Sequence, residues 1–209
     1  MTGTSALRRR RGLTLIEVLV TIVILSIGML GIAGLQAATS KYKINSWARS
    51  ATSMLLSDLA DRVRANPVAD DSDFIEKPSP TTPSPYLLSA TWQDQQAAKK
   101  GSAAAGKDCA ANNAQCTPAE QASYDMAEWR RLVGQMLPQG AGLVSGNRSN
   151  GYTVTLMWFD KGYLNATTNA LVSAPRCNAD LSGMAAQSCC PQASGAPAGV
   201  RCLNMTMVP

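Results

Sequence analysis

Glu17 is the one ionisable side chain between Gly12 and Lys41, and it stands inside the apolar run LTLIEVLVTIVILSIGMLGIAGL at 13–35. A carboxylate held in a lipid-spanning helix costs about 2.5–3.5 kcal/mol. A cation about 4 Å away, at an effective dielectric near 20, returns about 4 kcal/mol. The run contains no Lys or Arg to play that part. An α-amino group can, if the chain is cut just before Leu13; the amine then belongs to Leu13 or to a neighbouring subunit. The other side chains with chemistry to offer are Cys109, Cys116, Cys177, Cys189, Cys190 and Cys202, all of which follow the apolar run. An even number of cysteines beyond such a segment points to disulfides in an oxidising compartment. Histidine is missing altogether, which excludes His-dependent triads and His-bearing zinc sites. The cysteines also lack the close C-x(2–4)-C pairing of structural zinc. No Gly-rich phosphate loop or nucleophile elbow occurs. Asp125 and Glu128 read as a solvated helical face. The chemistry expected is therefore charge pairing and oxidative cross-linking, with no catalytic residue, cofactor or metal.

The elements that must carry these residues follow from pattern. Residues 13–35 are long enough to cross a bilayer, which takes about 20 helical residues. Arg8, Arg9, Arg10 and Arg11 precede the run, so that end stays in the cytoplasm and the rest is exported. The 209 residues carry a formal charge of +5. Without those four arginines the nineteen basic residues fall to fifteen, against fourteen acidic. The body thus lacks the surplus of a nucleic-acid binder. Over 36–66 the pattern turns amphipathic, with Ala38, Ile44, Ala48, Ala51, Leu55, Leu59 and Val63 on one stripe. Asn66-Pro67 ends the helix, because the residue before proline disfavours helical geometry. Gly28, Gly31 and Gly34 fit either close packing between membrane helices or a stretch that loosens on leaving the bilayer.

The remainder, 67–209, reads as one globular domain. Val68 to Ser89 is acidic and then proline-rich, which predicts a surface-lying connection. The Ala/Gly/Lys-rich stretch after Trp92 predicts a mobile loop. Thr117, Pro118 and Glu120 form a helix start with a capping box. Met126, Trp129, Leu132, Val133 and Met136 give that helix an apolar face, with Trp129 as a core anchor. Pro138 and Gly140 end it. Strands are expected in AGLVSGN, in YTVTLMWFD after the Asn150-Gly151 turn, and in CLNMTMV. The fold class is α+β: a long N-terminal helix, membrane-spanning in its first half, backed by a small antiparallel sheet with disulfide-linked loops. The short polar loop between Cys109 and Cys116 favours their pairing. Cys177, Cys189, Cys190 and Cys202 then make two further bridges, with adjacent Cys189 and Cys190 taking different partners because a vicinal bridge is strained.

RGLTLIEVLV, with its short basic leader, glycine, apolar start and glutamate at the fifth position after the glycine, resembles the class III signal of type IV pilins and pseudopilins. The resemblance implies a pilin-like fold, a leader at 1–12 ending at Gly12, cleavage by a prepilin peptidase, N-methylation of Leu13 and an assembly role for Glu17. Leu13 stands where the family more often has Phe. YDMAEWRRLVGQMLPQGAG followed by GYTVTLMWFD resembles the type IV pilus modification proteins (PilV-like minor pilins), through Asp125, Trp129, Leu137, Pro138, Gly140, Trp158 and Asp160. That resemblance implies a subunit in the inner membrane with its globular domain in the periplasm. Its partners would be other minor pilins, the major pilin and the pilus assembly platform, and its role the priming of pilus assembly. A pseudopilin of type II secretion and a membrane-anchored adhesin or binding module are the alternatives.

Overall fold

The computed structural model describes residues 14–67, 84–100 and 106–208, with only the backbone described at 41–45 and 100. Gly12, Leu13 and the rest of the leader lie outside the described residues, as do most of the acidic, proline-rich stretch and residues 101–105. The chain divides into two units, Met1–Ile44 and Asn45–Pro209.

The first unit is helical. Helix α1 (Leu15–Ala65) starts here, and its stretch Leu15–Ser40 is long and apolar enough to cross a membrane. Runs of Ile and Val are weak helix formers in water, but in a bilayer the backbone must satisfy its own polar groups. The hydroxyls follow suit. Thr21 donates to the Val18 carbonyl and Ser26 to the Val23 carbonyl, each at 2.8 Å. Thr39 and Ser40 both donate to the Gln36 carbonyl. The helix runs unbroken through Gly28, Gly31 and Gly34, where an added Cβ would meet nothing within 4 Å.

In the second unit, α1 presents Ala48, Ala51, Leu55, Leu59 and Val63 to the core, and all are buried. Ala38 is exposed, so it does not extend this stripe; the Ile44 side chain is outside the described set. The helix stops at Ala65, ahead of Pro67, and the Asn66 amide then donates to the Pro118 carbonyl at 2.8 Å. Helix α3 (Pro118–Met136) packs Met126, Trp129 and Val133 into the same core. Its start is the capping box: Thr117 Oγ1 accepts from the Glu120 amide, and the Glu120 carboxylate accepts from the Thr117 amide.

Strands β1 (Ala141–Asn147), β2 (Gly151–Phe159) and β3 (Val200–Met207) form one antiparallel sheet in the order β1-β2-β3. The register sets Val144 against Val154 and Val154 against Met205. Tyr152, Val154, Leu156 and Trp158 face the helices. The reverse face of β2 is also covered: Met157 joins Ala141, Leu143, Val200, Cys190 and Cys202 in a second apolar cluster. Both faces of the sheet are thus used, which explains why β2 is buried at consecutive positions from Val154 to Trp158.

Two further expectations change here. The stretch after Trp92 is a helix, α2 (Trp92–Lys100), rather than a mobile loop. Thr91 and Asp94 cap it reciprocally: the Asp94 amide donates to Thr91 Oγ1, and the Asp94 carboxylate accepts from the Thr91 amide. Buried Gln95 then ties it down, giving its amide nitrogen to the Gly142 carbonyl and accepting from the Gly142 amide, at 2.7 and 3.1 Å. The side chain stands in for a neighbouring strand on the β1 edge. Secondly, the end of the proline-rich connection is not surface-lying. Tyr86 is fully buried, and Leu88 exchanges two backbone bonds with Val144, each 3.0 Å. A buried phenol and a bridge to a strand edge outweigh the local polarity.

Candidate functional site

Glu17 lies in the first turn of α1, where its amide donates to the Thr14 carbonyl at 3.0 Å. A carboxylate in that turn is favoured by the helix dipole. Its side chain is exposed and has no ion-pair partner among the described residues. The hydroxyls of Thr21, Ser26, Thr39 and Ser40 are bonded within the helix, and Glu17 is the one carboxylate of Leu15–Ser40. Around it Leu15, Ile16, Val18, Leu19 and Val20 are exposed, an apolar surface that needs lipid or other helices to cover it.

In the second unit the residues of the PilV-like resemblance are joints. Asp125 is 6% exposed and corrects the expectation of a solvated face. It falls on the inward side of α3 with Ala122, Met126 and Trp129. Its carboxylate accepts from Arg62 Nη1 at 3.3 Å, from the Tyr86 hydroxyl at 3.0 Å and from the Gln121 amide at 3.0 Å. Arg62 also pairs with Asp58 at 2.8 Å. Burial works to lower the Arg62 pKa, but the bonds and charges of Asp58 and Asp125 together raise it. The latch therefore connects α1, α3 and the segment around Tyr86. Glu128, by contrast, points outward to Arg131 at 2.8 Å, and that hydrogen bond holds its pKa below the usual range.

Trp129 is fully buried, and its indole N–H donates to the Leu55 carbonyl at 2.8 Å. A Cβ at position 142 would lie 2.5 Å from the Trp129 ring, so β1 crosses the indole at a glycine. Leu137 caps α3 through its amide to Val133. The Pro138 carbonyl accepts from the Phe159 amide at 2.9 Å. Gly140 passes so near the end of α3 that a Cβ there would sit 2.1 Å from the Val133 carbonyl oxygen. Trp158 is buried. Asp160 accepts from Arg201 Nε at 2.6 Å, and Arg201 stacks 4.0 Å over the Tyr163 ring.

The cysteines form three bridges, Cys109–Cys116, Cys177–Cys189 and Cys190–Cys202. The last pins the loop to β3 behind Met157. Asn204 serves the same end: its amide donates to the carbonyls of Ala186 and Cys189, each 2.9 Å, and its oxygen accepts from Thr155. Ala186 belongs to a short helix, α4 (Gly183–Ser188), which no sequence pattern had marked. Among the described residues, no cluster of three or more His, Cys, Asp or Glu side chains is placed to hold a metal ion.

The family model described as the prokaryotic N-terminal methylation motif matches residues 7–33. The match covers the arginines, Gly12, Leu13, Glu17 and most of the apolar run. It supports the broad pilin and pseudopilin family, a structural rather than enzymatic one, and implies processing by a prepilin peptidase and handling by pilus assembly machinery. No curated protein and no solved structure matches the chain.

Proposed function

We propose that this chain is a minor pilin that takes part in priming and assembling type IV pili. The observation that carries the reading is the methylation motif at residues 7–33, with a lone carboxylate, Glu17, on an apolar helix whose side chains are all exposed over Leu15–Ser40. In this account residues 1–12 are the leader, and prepilin peptidase cuts after Gly12 and methylates Leu13. Residues 13–35 wait in the inner membrane, 36–66 continue the helix, and the domain from 67 stands in the periplasm. On extraction into the growing assembly, Glu17 meets the amine of an adjacent subunit. Among the packed apolar helices of the assembly that contact offsets the cost of the buried carboxylate and fixes axial register. The buried latch at Asp125 and the disulfides give the periplasmic domain a fixed shape against which other minor pilins and the major pilin dock.

The experiment is Glu17→Ala in the native host. The variant is expected to be processed and inserted like wild type, yet to be missing from sheared pili. Recovery at the wild-type level in the pilus fraction would remove Glu17 from the mechanism.

A further inference from the structure

Between α2 and α3 lies a cleft of about 380 Å³ lined by Lys99, Arg130 and Arg131 together with Gln95, Ala98, Ala127 and Gly134. No carboxylate lines it. Arg131 is occupied by Glu128 on the rim. Among the described residues, neither Lys99 nor Arg130 has an ion-pair partner. Lys99 lies close over Gly134, where an added Cβ would be 3.1 Å from Lys99 Cε. The ammonium donates to the Gly140 carbonyl just past the end of α3. Burial, and then repulsion from Arg130, push the Lys99 pKa down. Two of the three cationic side chains that line the cleft thus have no counter-ion among the described residues.

A second feature lies at the C-terminal end of α3. Trp47 is 61% exposed, and its indole N–H donates to the Met136 carbonyl at 3.4 Å, at the last residue of α3. Arg130 lies about 9 Å from there along the helix axis. Exposed Trp is enriched at membrane–water interfaces, and basic groups without a counter-ion are drawn to anionic headgroups. Covalent reach supplies the membrane. Trp47 is seven residues beyond Ser40, the end of the candidate span, so the chain holds it within about 25 Å of that end in any conformation.

We infer that the α2–α3 cleft and Trp47 together form a docking face for the anionic headgroups of the leaflet from which the span emerges. A lipid phosphate would sit between Lys99 and Arg130, with the Trp47 ring at headgroup level. The inference rests on the membrane-anchored reading above. Its consequence is a resting state in which the domain lies against the bilayer until assembly lifts it.

The test uses the full chain in nanodiscs of phosphatidylcholine alone or mixed with phosphatidylglycerol, read by amide hydrogen exchange. Anionic lipid is expected to slow exchange in α2 and in the last turns of α3, with β2 unchanged as a folding control. Each basic group near an anionic surface is worth roughly a fivefold factor. Arg130→Gln should therefore weaken the docking equilibrium roughly fivefold, and Lys99→Gln with Arg130→Gln roughly 25-fold. Equal exchange in the two lipids overturns the inference. So does protection produced by inorganic phosphate in phosphatidylcholine discs, which would mark a site for the free ion. Protection produced only by an added acidic polypeptide overturns it as well, and assigns the cleft to protein. The amides of Leu15–Ser40 report separately: if they stay protected in both discs, the anchor stands whatever the cleft does.

Discussion

At the scale of single residues, two carboxylates in the same chain have opposite circumstances. Glu17 is exposed on an apolar helix and unpaired among the described residues; Asp125 is buried and receives three donors. The first was legible from sequence because a charge in a long apolar run has no local explanation. The second was not. An Asp three residues before a Glu in a polar-looking helix reads as solvent-facing, and its donors Arg62 and Tyr86 are far away in sequence. Its nearness to Trp129, one helical turn on, was the available signal. Asp125→Ala should cost about 2–3 kcal/mol of stability, since it strips bonds to a charged acceptor while Arg62 keeps Asp58. Urea unfolding of the full chain in detergent, followed by tryptophan fluorescence, measures this. A loss below about 0.5 kcal/mol, the size of an ordinary surface change, would mean that the latch holds nothing.

At the scale of elements, the helices show where local signals suffice. Thr117, Pro118 and Glu120 announce α3 and the structure keeps the capping box. Thr91 and Asp94 offer a similar pair for α2, but the Ala/Gln/Lys stretch that follows has no apolar face to recommend it. What fixes α2 is Gln95 on the β1 edge, a contact that sequence spacing does not show. The strands were legible by alternation. The second covering of the sheet was not, because it is made by an irregular loop held by Cys177–Cys189 and Cys190–Cys202. The capping box also predicts a pH response. The bond from the Thr117 amide, then that from Lys107, hold the Glu120 pKa below its ordinary value. A depressed folded-state pKa contributes stability above the unfolded value and loses it as pH falls through the folded one. The first turn of α3 should therefore loosen on acidification below the usual Glu range, seen as joint NMR titration of the Thr117 and Glu120 amides. Glu120→Gln should flatten that titration. A wild-type α3 start that is insensitive to acid until global unfolding would contradict the assignment.

At the scale of the whole molecule, the chain combines two surfaces with different needs. Residues of Leu15–Ser40 bury nothing within their own unit, so their stability must come from lipid or from neighbouring helices. The unit Asn45–Pro209 has its own core on one side of the sheet and a disulfide-held cover on the other. That division suits a subunit that exchanges one environment for another while its domain stays intact. The proposed assembly step depends on a free amine at Leu13, the partner proposed for Glu17. The direct measurement is the N-terminal mass of the protein purified from its native host, with Gly12→Leu as the control. The account predicts a chain beginning at Leu13 and carrying one added methyl group, and an uncut leader in the variant. Native protein that still bears Arg8 to Arg11, or a Gly12→Leu variant that is cut at Leu13 all the same, would contradict it.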